Sequence, residues 1–116
     1  MDHISPAGAE IRVLQTESKN GSLVHCTLKA GQRSNAVMHH TVFEIWHVIS
    51  GQGKIWIWDN GEIGSRCVLL KPGITISIEC KTTFQYQSSK KQDLVFLCFT
   101  TPRWPGPHEA TIVSHL

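Results

Sequence analysis

Apolar and polar residues along this chain alternate in short runs separated by turn chemistry, and no segment carries a 3.6-residue apolar period. Residues 10–15 alternate well enough for a first short strand. Asn20-Gly21 is a turn signal, residues 23–28 form the next strand, and Ala30-Gly31 closes it. Residues 32–35 are polar and read as a loop, followed by a short strand holding Val37 and His39. The β-branched and aromatic run 43–50 and the run 54–58 flank Gly51-Gln52-Gly53, which is hairpin chemistry. Asp59-Asn60-Gly61 predicts the next turn and 66–70 the next strand. Lys71-Pro72-Gly73 ends that strand, residues 74–78 alternate strictly, residues 82–87 follow, 88–92 turn, and 93–100 form the last long strand. About eight or nine short strands at this spacing predict an all-β antiparallel sandwich or barrel.

The ends carry less pattern. Residues 1–8, with Pro6 and Gly8, read as a loose arm. Trp104-Pro105-Gly106-Pro107 cannot continue a strand, so residues 102–116 are expected to be an irregular tail, with Ile112 and Val113 free to dock. Three runs, 43–49, 55–58 and 94–99, are apolar on both faces. A sheet with one wet face should alternate instead, so these strands need a second cover, and a homodimer is the expected state.

Length sets the scale. The chain has 116 residues, which reads as one domain, 1–116, with a barrel core over about 20–101. A net charge of +2, with Lys and Arg scattered, gives no electrostatic footprint for nucleic acid. No apolar run approaches the ~18 residues of a membrane span, and no signal-peptide pattern opens the chain. Cys26, Cys67, Cys80 and Cys98 stand alone, without a C-x-x-C pair. They read as free thiols in a reducing cytoplasm rather than as a disulfide framework or a zinc site.

Candidate chemistry concentrates where the central hairpin begins. His39 and His40 stand just before Glu44, and imidazole with carboxylate is what a divalent Fe, Mn, Ni or Zn ion needs. Strand alternation puts Glu44, Trp46 and Val48 on one face and Ile45, His47 and Ile49 on the other. His39 and Glu44 fall on opposite parities, so a bend between them is needed for convergence. Trp46 is either core packing or a wall that stacks a flat ligand. Trp56 and Trp58 share a face that suits packing. His3, His108 and His115 lie in the ends and read as solvated. No Ser-His-Asp or Cys-His arrangement emerges, because parity points His25 and Cys26 apart.

The stretch Gly31…His39…Glu44…Gly51 resembles the first motif of the cupin superfamily, and Lys71-Pro72-Gly73 through Tyr86 resembles the second. The resemblance covers roughly residues 20–101 and implies a cupin jelly roll. With four residues between His39 and Glu44, Val37 takes the place of the first motif histidine; with three, His40 is the second histidine and Met38 stands at the first. The second-motif histidine falls at Thr83. On this resemblance Val37, His39, Glu44, Thr83 and Gln85 look into the barrel. The implied metal ligands are His39, Glu44 and Gln85, through its amide oxygen, and a bound molecule would meet Trp46, Thr83, Val37 and His40. The implied cofactor is a divalent transition metal or none. Two functions follow: a metal-dependent oxygenase or isomerase/lyase acting on a small molecule, or a non-catalytic small-molecule-binding or sensing barrel. The number of inward ligands separates them. The segment Thr101 to Gly106 resembles the end of some small bacterial cupins, where Trp104 packs.

Overall fold

The computed structural model describes residues 1–58 and 65–113. The turn expected at Asp59-Asn60-Gly61 and His115 lie outside them. Eleven strands run through the described residues: β1 (His3–Ile4), β2 (Glu10–Gln15), β3 (Ser22–Leu28), β4 (Val37–His39), β5 (Phe43–Ser50), β6 (Gly53–Trp58), β7 (Ser65–Leu70), β8 (Thr75–Ile78), β9 (Thr83–Ser88), β10 (Leu94–Thr101) and β11 (Ala110–Ile112). A short 3-10 turn at Pro107–Glu109 precedes β11. No helix among them is long and apolar enough to cross a membrane.

The strands form two antiparallel sheets, one of six strands in the order β1-β2-β3-β10-β5-β8 and one of five in the order β11-β4-β9-β6-β7. The nine strands expected between residues 10 and 101 are present. The two ends differ from expectation. The arm is tied down because His3 pairs with Ile11 and Ile4 with Glu10. The tail is not irregular throughout: Ala110, Thr111 and Ile112 pair with His39, Met38 and Val37. Backbone partners, rather than side-chain pattern, order both ends.

Alternation decides what each strand buries. Along β10, Leu94, Phe96, Cys98 and Thr100 face inward; along β5, Glu44, Trp46 and Val48 do so. The register stacks them in rows. Leu28 lies opposite Leu94, Cys26 opposite Phe96 with Val48 on the far side, and Val24 opposite Cys98 with Trp46 beyond. The last row is Ser22, Thr100 and Glu44. Ile55, Ile57 and Leu70 from the five-stranded sheet complete the aliphatic part of the core. The hairpin between β5 and β6 needs its glycine: Gly51 has φ +82°, and a Cβ there would sit 2.0 Å from the Asp93 carbonyl oxygen.

The outer face of the six-stranded sheet is apolar where Leu23, Phe99 and Ile45 pair in one row. Ile45 and Phe99 are each more than a third exposed, as is Ile49 further along β5. The outer face of β9 and β6 is polar by contrast, with Gln85, Gln87 and Lys54, and the Arg33 guanidinium lies over the Trp56 ring.

Candidate functional site

His39 ends β4 and Glu44 opens β5, and the bend at residues 40–42 turns both inward despite their opposite parities. The two side chains are 8% and 6% exposed. His39 Nδ1 lies 3.2 Å from Glu44 Oε2. The approach is close, yet it lacks hydrogen-bond alignment, so Nδ1 has no hydrogen-bond partner. The other carboxylate oxygen, Oε1, accepts a hydrogen bond from Trp46 Nε1 at 2.9 Å. Glu44 is therefore fixed from its own strand, two residues along, while His39 comes to it from the other sheet.

These groups open onto a cavity of about 580 Å³, within the range of about 300–1,000 Å³ usual for small-molecule sites. Its walls are aromatic. Trp46 stacks on Phe96 with centroids 3.9 Å apart, and Tyr86 meets Trp46 edge-on at 4.8 Å. Phe84 and Trp104 both meet the His39 ring edge-on, at 5.2 and 5.0 Å. The Ser22 and Thr100 hydroxyls, hydrogen-bonded to each other, add a neutral polar patch. The N-terminal arm supplies part of the rim, and Arg103 supplies another part, exposed, its guanidinium donating to the Thr16 carbonyl at 3.1 Å.

Two thiols belong to the wall, and both are held protonated. Burial pushes Cys98 well above the usual thiol range, and the nearby Glu44 charge adds to it. Cys26 is raised for the same reasons in the same order. Burial likewise raises the Tyr86 phenol, with the Glu44 charge adding to it and a hydrogen bond with Ser5 opposing. Neither cysteine has the electropositive setting that makes a nucleophile.

Behind His39 stands a carboxylate outside the cavity. Glu109 Oε2 accepts the backbone N–H groups of Thr41 at 2.7 Å and Val42 at 2.8 Å, and Oε1 accepts the Thr41 hydroxyl. Burial alone would raise its pKa; the Thr41 hydroxyl and the two N–H groups, with the nearby His39, outweigh that and lower it. Glu109 thus pins the bend that brings His39 and Glu44 together.

Among the candidates read from the sequence, His39, Glu44 and Trp46 meet in the cavity. The others do not. Phe84 and Tyr86, not Thr83 and Gln85, are the inward residues of β9. Gln85 instead donates its amide to the Ser34 carbonyl at 2.9 Å on the other face of the strand. Val37 is buried in the core opposite Phe84 rather than lining the cavity. His40 is exposed and bonds the Thr111 hydroxyl at 2.6 Å. His25 and His47 lie on the outer face of the six-stranded sheet, as the alternation requires. The implied metal therefore does not fit the donor set: among the described residues no three His, Cys, Asp or Glu side chains converge to hold an ion. Phe84 occupies the position facing His39 where a further imidazole would be needed.

Trp104 and Glu109 were not singled out as site residues by the sequence. Trp104 lies in a proline-rich stretch whose side-chain direction no alternation specifies, and Glu109 acts on residues 68 positions away.

The sequence matches no protein-family model and no curated protein. Solved structures are similar in shape. An uncharacterized conserved protein with a double-stranded β-helix domain from Klebsiella pneumoniae aligns at TM-score 0.74 and 17% identity, covering 97% of this chain and 90% of that one. The capsular polysaccharide assembling protein CapF of Staphylococcus aureus aligns at 0.76 and 14%, covering 92% and 34%. The oxalate decarboxylase of Lactobacillus farciminis, in a formate complex, aligns at 0.78 and 14%, covering 96% and 32%. The chain spans about a third of the length of these last two proteins. At such identities the likeness fixes shape alone, and the shape is that of a double-stranded β-helix: this chain has the cupin fold.

Proposed function

We propose that this chain binds a small, largely apolar molecule inside its barrel, anchored on Glu44 and His39, without the three-ligand metal centre that an oxygenase or lyase of this fold would use. The supporting observation is the aromatic cavity of about 580 Å³, whose lining includes both Glu44 and His39. The metal-dependent alternative requires a further inward ligand, and β9 presents rings there.

A ligand-observed NMR screen of small fragments, followed by two-dimensional spectra of the labelled protein, tests the reading. Binders should perturb the indole signals of Trp46 and Trp104. Fragments that bind only on the outer sheet, or no binders at all, would overturn it.

Self-association is part of the proposal. Exposed Phe99 and Ile45, in a row with half-buried Leu23, support a second copy as the cover for the six-stranded sheet. Light scattering at tens of micromolar should give a dimer mass, and Phe99→Glu should return a monomer.

A further inference from the structure

We infer that the cavity selects a protonated amine carried on a compact apolar body, in preference to an alcohol or a carboxylic acid of the same shape. This rests on the binding reading above and names the ligand class for that site. The Glu44 carboxylate is buried at the head of the cavity. Within the protein it accepts the Trp46 indole N–H on Oε1 and is hydrogen-bonded by the protonated Cys98 thiol. Oε2 faces His39 Nδ1 at 3.2 Å without an aligned hydrogen bond. A buried carboxylate is costly unless paired with positive charge and hydrogen-bond donors. An ammonium group is compact, charged, and has three donors. Placed against the Glu44 carboxylate where it lines the cavity, it donates an N–H to the carboxylate and brings the charge that offsets its burial.

The walls reinforce the choice. The Trp46, Tyr86 and Trp104 rings are electron-rich surfaces toward which an organic cation is drawn. The hydroxyls and thiols near Glu44 are neutral: burial keeps Cys26 and Cys98 protonated. A ligand carboxylate at the same place would face the like charge of Glu44. Arg103, the guanidinium of the lining, stands at the exposed rim, already bonded to the Thr16 carbonyl. An alcohol can donate to Glu44 but brings no charge to offset its burial.

Benzylamine, benzyl alcohol and benzoate share a ring and differ in the head group. Titrating each into the intact protein at neutral pH, by calorimetry or NMR shift, should give an amine dissociation constant at least tenfold below that of the alcohol, with benzoate weakest. Glu44→Gln keeps the size and an oxygen for the Trp46 hydrogen bond, and it should abolish the preference of the amine over the alcohol, while an unchanged melting temperature and Trp46 indole signal of the unliganded variant certify the fold. Benzoate binding as tightly as benzylamine, or Glu44→Gln leaving the amine preference intact, overturns the inference while leaving a binding cavity. Failure of all three probes, with no shift at Trp46, overturns the inference and counts against the cavity reading itself.

Discussion

The two ends of the barrel are built from the same strands and differ in almost everything else. Along β10 the inward residues go from Leu94 through Phe96 and Cys98 to Thr100. Along β3 they go from Leu28 through Cys26 and Val24 to Ser22, and along β5 from Val48 through Trp46 to Glu44. One end is aliphatic and closed, with Leu28, Ile55 and Leu94 at no more than 1% exposure. The other is aromatic, polar and hollow. The closed end holds the sheets together; the open end carries a buried carboxylate and imidazole that a fold selected for stability alone would replace with carbon.

The comparison breaks most visibly if the open end is given a further imidazole. Phe84→His places a ring opposite His39, on the inward face of β9. We expect binding of about one Zn²⁺ or Ni²⁺ per chain with micromolar affinity, roughly 8 kcal/mol of binding free energy. Thr83→His points away and should gain nothing. Calorimetry or elemental analysis decides; equal gains from both substitutions would misplace the inward face of β9.

At the closed end Leu94→Ala should cost about 2–5 kcal/mol in urea denaturation, because the void it leaves is enclosed. Val24→Ala, on the wall of an existing cavity, should cost distinctly less. Equal losses would mean the two ends are packed alike.

Glu109→Gln sharpens the comparison at the bend. Losing charged acceptors for the Thr41 and Val42 N–H groups should cost about 1–3 kcal/mol. Because the Glu109 pKa is lowered below its usual 4.5, its contribution is complete above that value and is lost as the pH falls through the folded-state pKa. Melting curves of wild type and Glu109→Gln should therefore differ at neutral pH and converge in acid. A gap that widens on acidification contradicts the assignment.

The smallest effect belongs to Glu44→Gln, which should leave stability within about 1 kcal/mol of wild type or raise it, since it removes a buried charge and keeps an oxygen for the Trp46 N–H. A loss above about 3 kcal/mol would make Glu44 part of the scaffold rather than of the site.

The strand pattern was readable because period-2 alternation and glycine turns are local signals, and the nine central strands lie where those signals put them. The convergence of His39 and Glu44 was readable from motif spacing. The inward face of β9 was misassigned for an instructive reason. In Thr83-Phe84-Gln85-Tyr86-Gln87 the apolar residues already sit at 84 and 86, and that alternation alone turns the rings inward. Counting toward a motif histidine at Thr83 shifted the reading by one residue and so inverted every side chain. Trp104 and Glu109 were out of reach because their placement depends on pairing across most of the chain, which no local period encodes.

The strand β11 is three residues long and forms the border of the five-stranded sheet, with β4 next inside it. A sheet border is a template for foreign strands, and a very short one is a common protection. Were the chain cut between Gly106 and Ala110, the N–H and C=O groups of β4 now taken by β11 would be bared, next to the buried His39. The same cut would release the bend held by Glu109. Clipping a few residues there would turn a closed barrel into a sticky-edged one, prone to aggregate by strand addition.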